Sequence, residues 1–306
     1  MEMREIASGL QFPEGPLALE NGDLLICEVA GGTIRRIGRD GRMSLLARTG
    51  GAPSGLAFGP DGYCYVCNGG IGDFHERNGR LAPHFAPDVA PSGSIQRLDV
   101  ETGKFETLYT HCDGKPLIAP NDLVIDAHGG IWFTDHGKVR RDDRDHGALY
   151  YAKTDGSGIK RMVTPLLGPN GVGLSPDGNH VYVAETPTAR AWRFDLAAPD
   201  EIARSPDAVL GSRGHLLCGL GGWQWLDSLK VDAEGWICVA TLFNGGITAI
   251  SPDGKQVEHV AMPDPFTTNL AFGGPDMRTA YVVLSSLGKV VAVPWARRGL
   301  RLNHAR

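Results

Sequence analysis

The sequence has no apolar run approaching the ~18 residues that a membrane span requires. Its first residues, MEMREIASGL, carry no apolar h-region and no small-residue cleavage pattern. Both absences lead us to expect a cytoplasmic protein without a membrane partner. There is also no run of Lys and Arg. The 30 basic residues face 35 acidic ones, for a net charge of -5, and that balance argues against nucleic acid as a partner. A G-x-S-x-G nucleophile elbow is missing, which leaves a serine triad without support. GLGG at 219–222 opens no helical pattern and has no Lys after it, so it does not read as a phosphate loop. Cysteines number six, and Cys64-x-x-Cys67 has no second pair at zinc spacing. It lies in a strand-like run in which residues three apart point to opposite faces, so core packing outweighs a metal or redox role.

What the chain has in quantity is Gly (42) and Pro (20), both punctuating short β-rich runs. One phrase recurs six times: a small turn, an apolar strand, a D-G-type turn and a second apolar strand. The copies are PEGPLALENGDLLICEV, PSGLAFGPDGYCYVCN, PNDLVIDAHGGIWFTD, PNGVGLSPDGNHVYVAE, LDSLKVDAEGWICVAT and TNLAFGGPDMRTAYVVL. Most are followed by a third apolar run, such as GTIRRIG or GALYYAK, and often by a weaker fourth, such as MSLLAR. Four antiparallel strands repeated six times read as an all-β six-bladed propeller. A sandwich has no need of six alignable copies. No linker interrupts the series, so residues 1–306 are expected to form one propeller domain. The run at 4–9 precedes the first copy and is expected to supply the outer strand of the last blade, closing the ring without a free edge.

The residue expected just before the first strand of each copy is Glu14, Ser54, Asn121, Asn170, Asp227 or Thr268. In a propeller these positions face one another around the axis at one depth. Every member carries oxygen. Two carboxylates facing across a narrow channel repel unless protonated or paired with a cation, and hard divalent cations take carboxylate and carbonyl oxygens. Turn chemistry alone accounts for any single Asn, Asp or Ser here. It does not account for Glu14, so the set of Glu14, Asn121, Asn170 and Asp227 points to a metal. Ca²⁺ leads, with Zn²⁺, Mn²⁺, Mg²⁺ and Fe²⁺ as alternatives. Loops between second and third strands border the same face, and two are long: 69–93 and 135–147. Loops of that length are often functional lids. Asp135, His136 and Glu185, near second-strand ends, are candidate substrate contacts beside Asn121.

The motifs PEGP, NDLVIDAHGGIWFTD, PNGVGLSPDGNHVYVAE and LDSLKVDAEG resemble those of the gluconolactonase, regucalcin (senescence marker protein) and luciferin-regenerating enzyme family, nearest its bacterial lactonase branch. The resemblance runs in order through nearly the whole chain. It implies a six-bladed propeller with one metal and lactone hydrolysis of a small-molecule substrate. It places the metal ligands on Glu14, Asn170 and Asp227, the catalytic base on Asp227, and a ligand or substrate contact on Asn121. Two features depart from the family pattern. The usual P-D-G is Leu226-Asp227-Ser228, and the Arg that contacts the sugar in animal members is Ala119. The resemblance therefore carries the metal further than a sugar substrate. Phosphotriester hydrolysis, lyase or isomerase chemistry on an oxo-acid, and a non-catalytic calcium-binding propeller stay open as alternatives.

Overall fold

The structure is a computed structural model that describes residues 2–70, 72–85, 92–204 and 214–306. Each of the six repeats forms one antiparallel blade whose strands run outward from the axis in chain order. Blade 1 is Pro13–Ala18, Leu24–Glu28, Thr33–Ile37 and Met43–Arg48. Blade 2 is Pro53–Phe58, Cys64–Asn68, Ser94–Leu98 and Phe105–Tyr109. Blade 3 is Pro120–Ile125, Gly130–Asp135, Gly147–Lys153 and Ile159–Leu166. In blade 4, Pro169–Leu174, His180–Glu185 and Arg190–Ala198 are followed by His215–Gly219. Trp225–Val231, Ile237–Leu242, Gly246–Ile250 and Val257–Ala261 make blade 5. Blade 6 takes Thr267–Gly273, Thr279–Leu284 and Lys289–Pro294 from the end of the chain and Arg4–Ala7 from its start. The expected closure is thus present, with Arg4 opposite Ala292.

Burial explains the sequence pattern of the strands. First and second strands have a neighbouring blade on both faces and read as continuous apolar runs; Leu24–Glu28 and Pro53–Phe58 are buried throughout. Fourth strands face water, as in Met43–Arg48 and Val257–Ala261. Successive residues of a strand serve opposite neighbours. Leu25 and Cys27 pack towards blade 2, whereas Leu24 and Ile26 pack towards blade 6. Cys64 and Cys67 likewise fall in different clusters, one on each side of blade 2, and both are free buried thiols. The core is therefore a set of interblade layers, one at each of the six interfaces.

Backbone approach is tightest next to the axis. A Cβ added at Gly171 would lie 2.4 Å from Leu229 N and 2.8 Å from Asp227 O, so the blade 4 inner strand can lie against blade 5 only with glycine there. Gly15 is tighter still, 1.7 Å from Ser54 O, and has φ of 53°. At the far end of the first strands, residues 299–306 cross the axis. Leu300 N donates to Val231 O, Asn303 Nδ2 to Ile125 O, and Glu20 N to Arg306 O. A cavity of about 1040 Å³ opens there, and no ring residue lines it.

Candidate metal centre and its mouth

The ring residues lie inside the first strands, not before them as expected. Each sits beside an irregularity in register with the second strand, between Glu14 and Leu17, Pro53 and Leu56, Pro120 and Leu123, Pro169 and Val172, Leu226 and Leu229, and Thr267 and Asn269. Such bulges re-aim side chains, and here the same device acts once per blade. Glu14, Ser54, Asn170, Asp227 and Thr268 are buried, while Asn121 is partly exposed.

The electrostatics bind this ring together. Glu14 Oε2 accepts 2.7 Å hydrogen bonds from Gly15 N and Asn269 Nδ2. Burial raises its pKa, against the pull of those donors and of Thr268. Asp227 is pushed well above the ordinary carboxylate range, first by burial and then by the charge of Glu14, with Asn170 opposing. The Ser228 hydroxyl donates to Asn170 Oδ1 at 3.3 Å, which leaves that oxygen a second lone pair. The nearby Lys230 ammonium is engaged by Asp122 at 3.3 Å. Among the described residues, no cationic side chain is a main influence on Glu14 or Asp227. Among the described residues no three His, Cys, Asp or Glu side chains cluster as ligands. The donor set is instead two carboxylates completed by carboxamides. Two buried like charges beside neutral oxygen donors have the chemistry of a hard-cation site.

Asp135 and Glu185, expected to touch substrate, bind the backbone of the entry loops. Asp135 accepts from Ile118 N at 2.7 Å, Ala119 N at 2.8 Å and Gly137 N at 3.1 Å. Glu185 accepts from Leu167 N at 2.8 Å and from the Thr188 hydroxyl at 2.9 Å. Glu28 and Asn68 hold Gln11 N and Ala52 N in the same way. In blades 1 to 4, then, the last residue of the second strand staples the backbone two or three residues ahead of the ring member. These side chains spend their oxygens first on buried backbone amides, which have no other acceptor there.

His136 remains at the mouth. Burial lowers its pKa, and its Nδ1 lies 2.9 Å from Gly137 O, a contact that fixes the proton on Nδ1 and leaves Nε2 an acceptor. Sequence reasoning missed the remaining mouth residues. Arg144 has Nε and Nη2 buried without a hydrogen-bond partner. Its Nη2 and the His136 Nε2 lie 2.5 and 3.0 Å from where a Cβ at Gly168 would stand. Phe12, Trp225, Phe243 and Phe266 line the entries to blades 1, 5 and 6, with centroid separations of 6.3 Å for Phe12–Phe266, 6.1 Å for Phe243–Phe266 and 5.0 Å for Trp225–Phe243. The long loop expected as a lid contains a hairpin, Phe74–Arg77 with Arg80–Pro83; residues 71 and 86–91 lie outside the described set. The hairpin leaves blade 2 and reaches blade 6. Arg80 meets buried Asp264 at 3.3 Å, Leu81 N donates to Ser286 O, and Phe74 lies 5.2 Å from Phe12.

Comparison with known proteins agrees with the propeller fold. Residues 12–286 match the SMP-30/gluconolactonase/LRE-like region family model. The chain is 27% identical over 257 residues to lactonase drp35 of Staphylococcus saprophyticus, covering 83% of this chain and 71% of that one. It is 24% identical over 293 residues to a gluconolactonase of Zymomonas mobilis, covering 88% and 75%. A calcium-binding protein, regucalcin, from Agrobacterium tumefaciens superposes with a TM-score of 0.78 at 18% identity, covering 100% and 97%. With a matched model spanning most of its blades, this chain belongs to the SMP-30/gluconolactonase/LRE-like family.

Proposed function

We propose that this chain hydrolyses a small lactone with one divalent cation, Ca²⁺ foremost, held by Glu14, Asn170 and Asp227. The observation that carries the reading is the buried, mutually repelling pair of Glu14 and Asp227 set beside carboxamides at one depth of the ring. The lactonase names among the relatives supply the reaction class. Bound there, the cation would supply Lewis acidity to the lactone carbonyl.

The chain's own residues do the rest. Asp227, kept ionised beside the cation, would take the proton from the attacking water. Asn121 is the ring member open to the mouth and offers its amide to the substrate. His136 presents a neutral Nε2 that accepts a substrate hydroxyl. The Asp135 staple holds the backbone leading into Asn121 and His136 still, so little reorganisation of these two groups accompanies the reaction.

The test is acid release from a lactone panel by protein loaded with each divalent cation in turn, comparing wild type with Asp227→Asn. General-base loss should lower kcat by about a hundredfold or more. Undiminished turnover in the variant would remove Asp227 from its role.

A further inference from the structure

Two residues ahead of each ring member the repeat carries Phe12, Ala52, Ala119, Gly168, Trp225 and Phe266 for blades 1 to 6. The bulky rings thus occupy three adjacent blades, 5, 6 and 1, and the small residues occupy the other three. Ring contacts join the bulky half into one surface. Phe74 meets Phe12, Phe12 meets Phe266, Phe266 meets Phe243, and Phe243 meets both Trp225 and Trp223, each with centroids 5.0 to 6.3 Å apart. Rings from separate blades meet this way only where the entry loops converge on the axis. Trp223, at the outer end, is 72% exposed, an unusual cost for so large an apolar side chain. Phe12 and Phe243 also hold φ of 54° and 72°, in a region that costs a bulky residue energy.

Across the mouth the character reverses. Gly168 leaves the space into which Arg144 and His136 point, and the Arg144 guanidinium keeps two buried nitrogens without a hydrogen bond, although Glu185 and Asp145 act on its charge. A buried, unanswered donor of this kind is satisfied when a ligand oxygen arrives.

We infer that the mouth selects amphipathic lactones: a flat aromatic or apolar flank lies against the Phe12–Phe266–Phe243–Trp225 arc, and a carboxylate or other anionic oxygen on the opposite flank pairs with Arg144. The inference rests on the hydrolase reading above and narrows its substrate. A polyhydroxylated sugar lactone would leave the aromatic arc facing hydroxyls and water, whereas an aromatic flank gains stacking there.

Steady-state hydrolysis of a benzo-fused lactone, its carboxylated derivative and an aldonolactone tests this, read as ratios of kcat/KM. Wild type should prefer the carboxylated benzo-fused lactone over the aldonolactone by about a hundredfold, combining one stacked flank and one charge-assisted pair. Trp225→Leu and the surface variant Trp223→Ala should each lower that ratio by several-fold. Arg144→Gln should erase the preference for the carboxylated over the plain benzo-fused compound. In parallel, a non-hydrolysable lactam of the carboxylated compound is titrated while tryptophan fluorescence is followed, and it should quench Trp223 and Trp225. Faster turnover of the aldonolactone overturns the inference and leaves the hydrolase reading intact. Quenching without turnover of any lactone upholds the mouth and overturns the hydrolase reading. Neither quenching nor turnover overturns both.

Discussion

Replacing Asp135 separates a substrate contact from a structural staple. Its buried carboxylate, 3% exposed, holds three backbone amides at 2.7, 2.8 and 3.1 Å. Two of them, Ile118 and Ala119, set the path into Pro120 and Asn121. A hydrogen bond to a charged acceptor contributes about 1.5–3 kcal/mol. Asp135→Ala removes three acceptor contacts, and water entering the vacated volume restores part of the loss, so about 3–5 kcal/mol is the expected cost. At roughly 2 °C per kcal/mol for a chain of this size, Tm should fall by about 6–10 °C. Asp135→Asn keeps one acceptor oxygen but turns an NH₂ towards a donor, and should lose about half as much. Because Asn121 is displaced, kcat/KM should fall together with stability. Thermal unfolding followed by circular dichroism, with steady-state kinetics on the same samples, reads all of this. A Tm within about 2 °C of wild type together with a tenfold rise in KM would refute the staple and restore Asp135 as a substrate contact.

Two further outcomes follow from the same geometry. Gly171→Ala drives a methyl into the blade 5 backbone at Leu229 N and Asp227 O and should cost about 1–3 kcal/mol, whereas Gly158→Ala, with nothing within 4 Å of its added Cβ, should stay within about 0.5 kcal/mol; equal melting of the two variants would contradict the close interblade contact. Saturating the protein with its cation at a hundredfold over Kd should add about 2.7 kcal/mol, near 5 °C in Tm, over chelator-treated protein. That increment should vanish in Glu14→Gln/Asp227→Asn. Identical melting with chelator and with every divalent cation tried would count against the site.

The repeat was open to reading because propeller geometry turns a sequence period into a spatial ring. Six copies of one phrase predict six blades, and Glu14, Asn170 and Asp227 fall together for that reason alone. Alternation within strands likewise predicts Cys64 and Cys67 on opposite faces of blade 2. The sequence could not show how Asp135 and Glu185 spend their oxygens. A carboxylate at a strand end looks the same whether it faces a ligand or its own backbone, and only the positions of Ile118 N, Ala119 N and Leu167 N decide between them.

By itself, then, the sequence determined the blade count, the closing strand at Arg4–Ala7 and the oxygen-rich ring, since each depends on period and local pattern. Tertiary structure decided the character of the mouth. Phe12, Trp225 and Phe266 become neighbours only because the ring closes, and the hairpin at Phe74–Arg77 and Arg80–Pro83 finds Asp264 only by crossing from blade 2 to blade 6. Contacts between residues this far apart in the chain are set by closure geometry, which no local run of residues encodes.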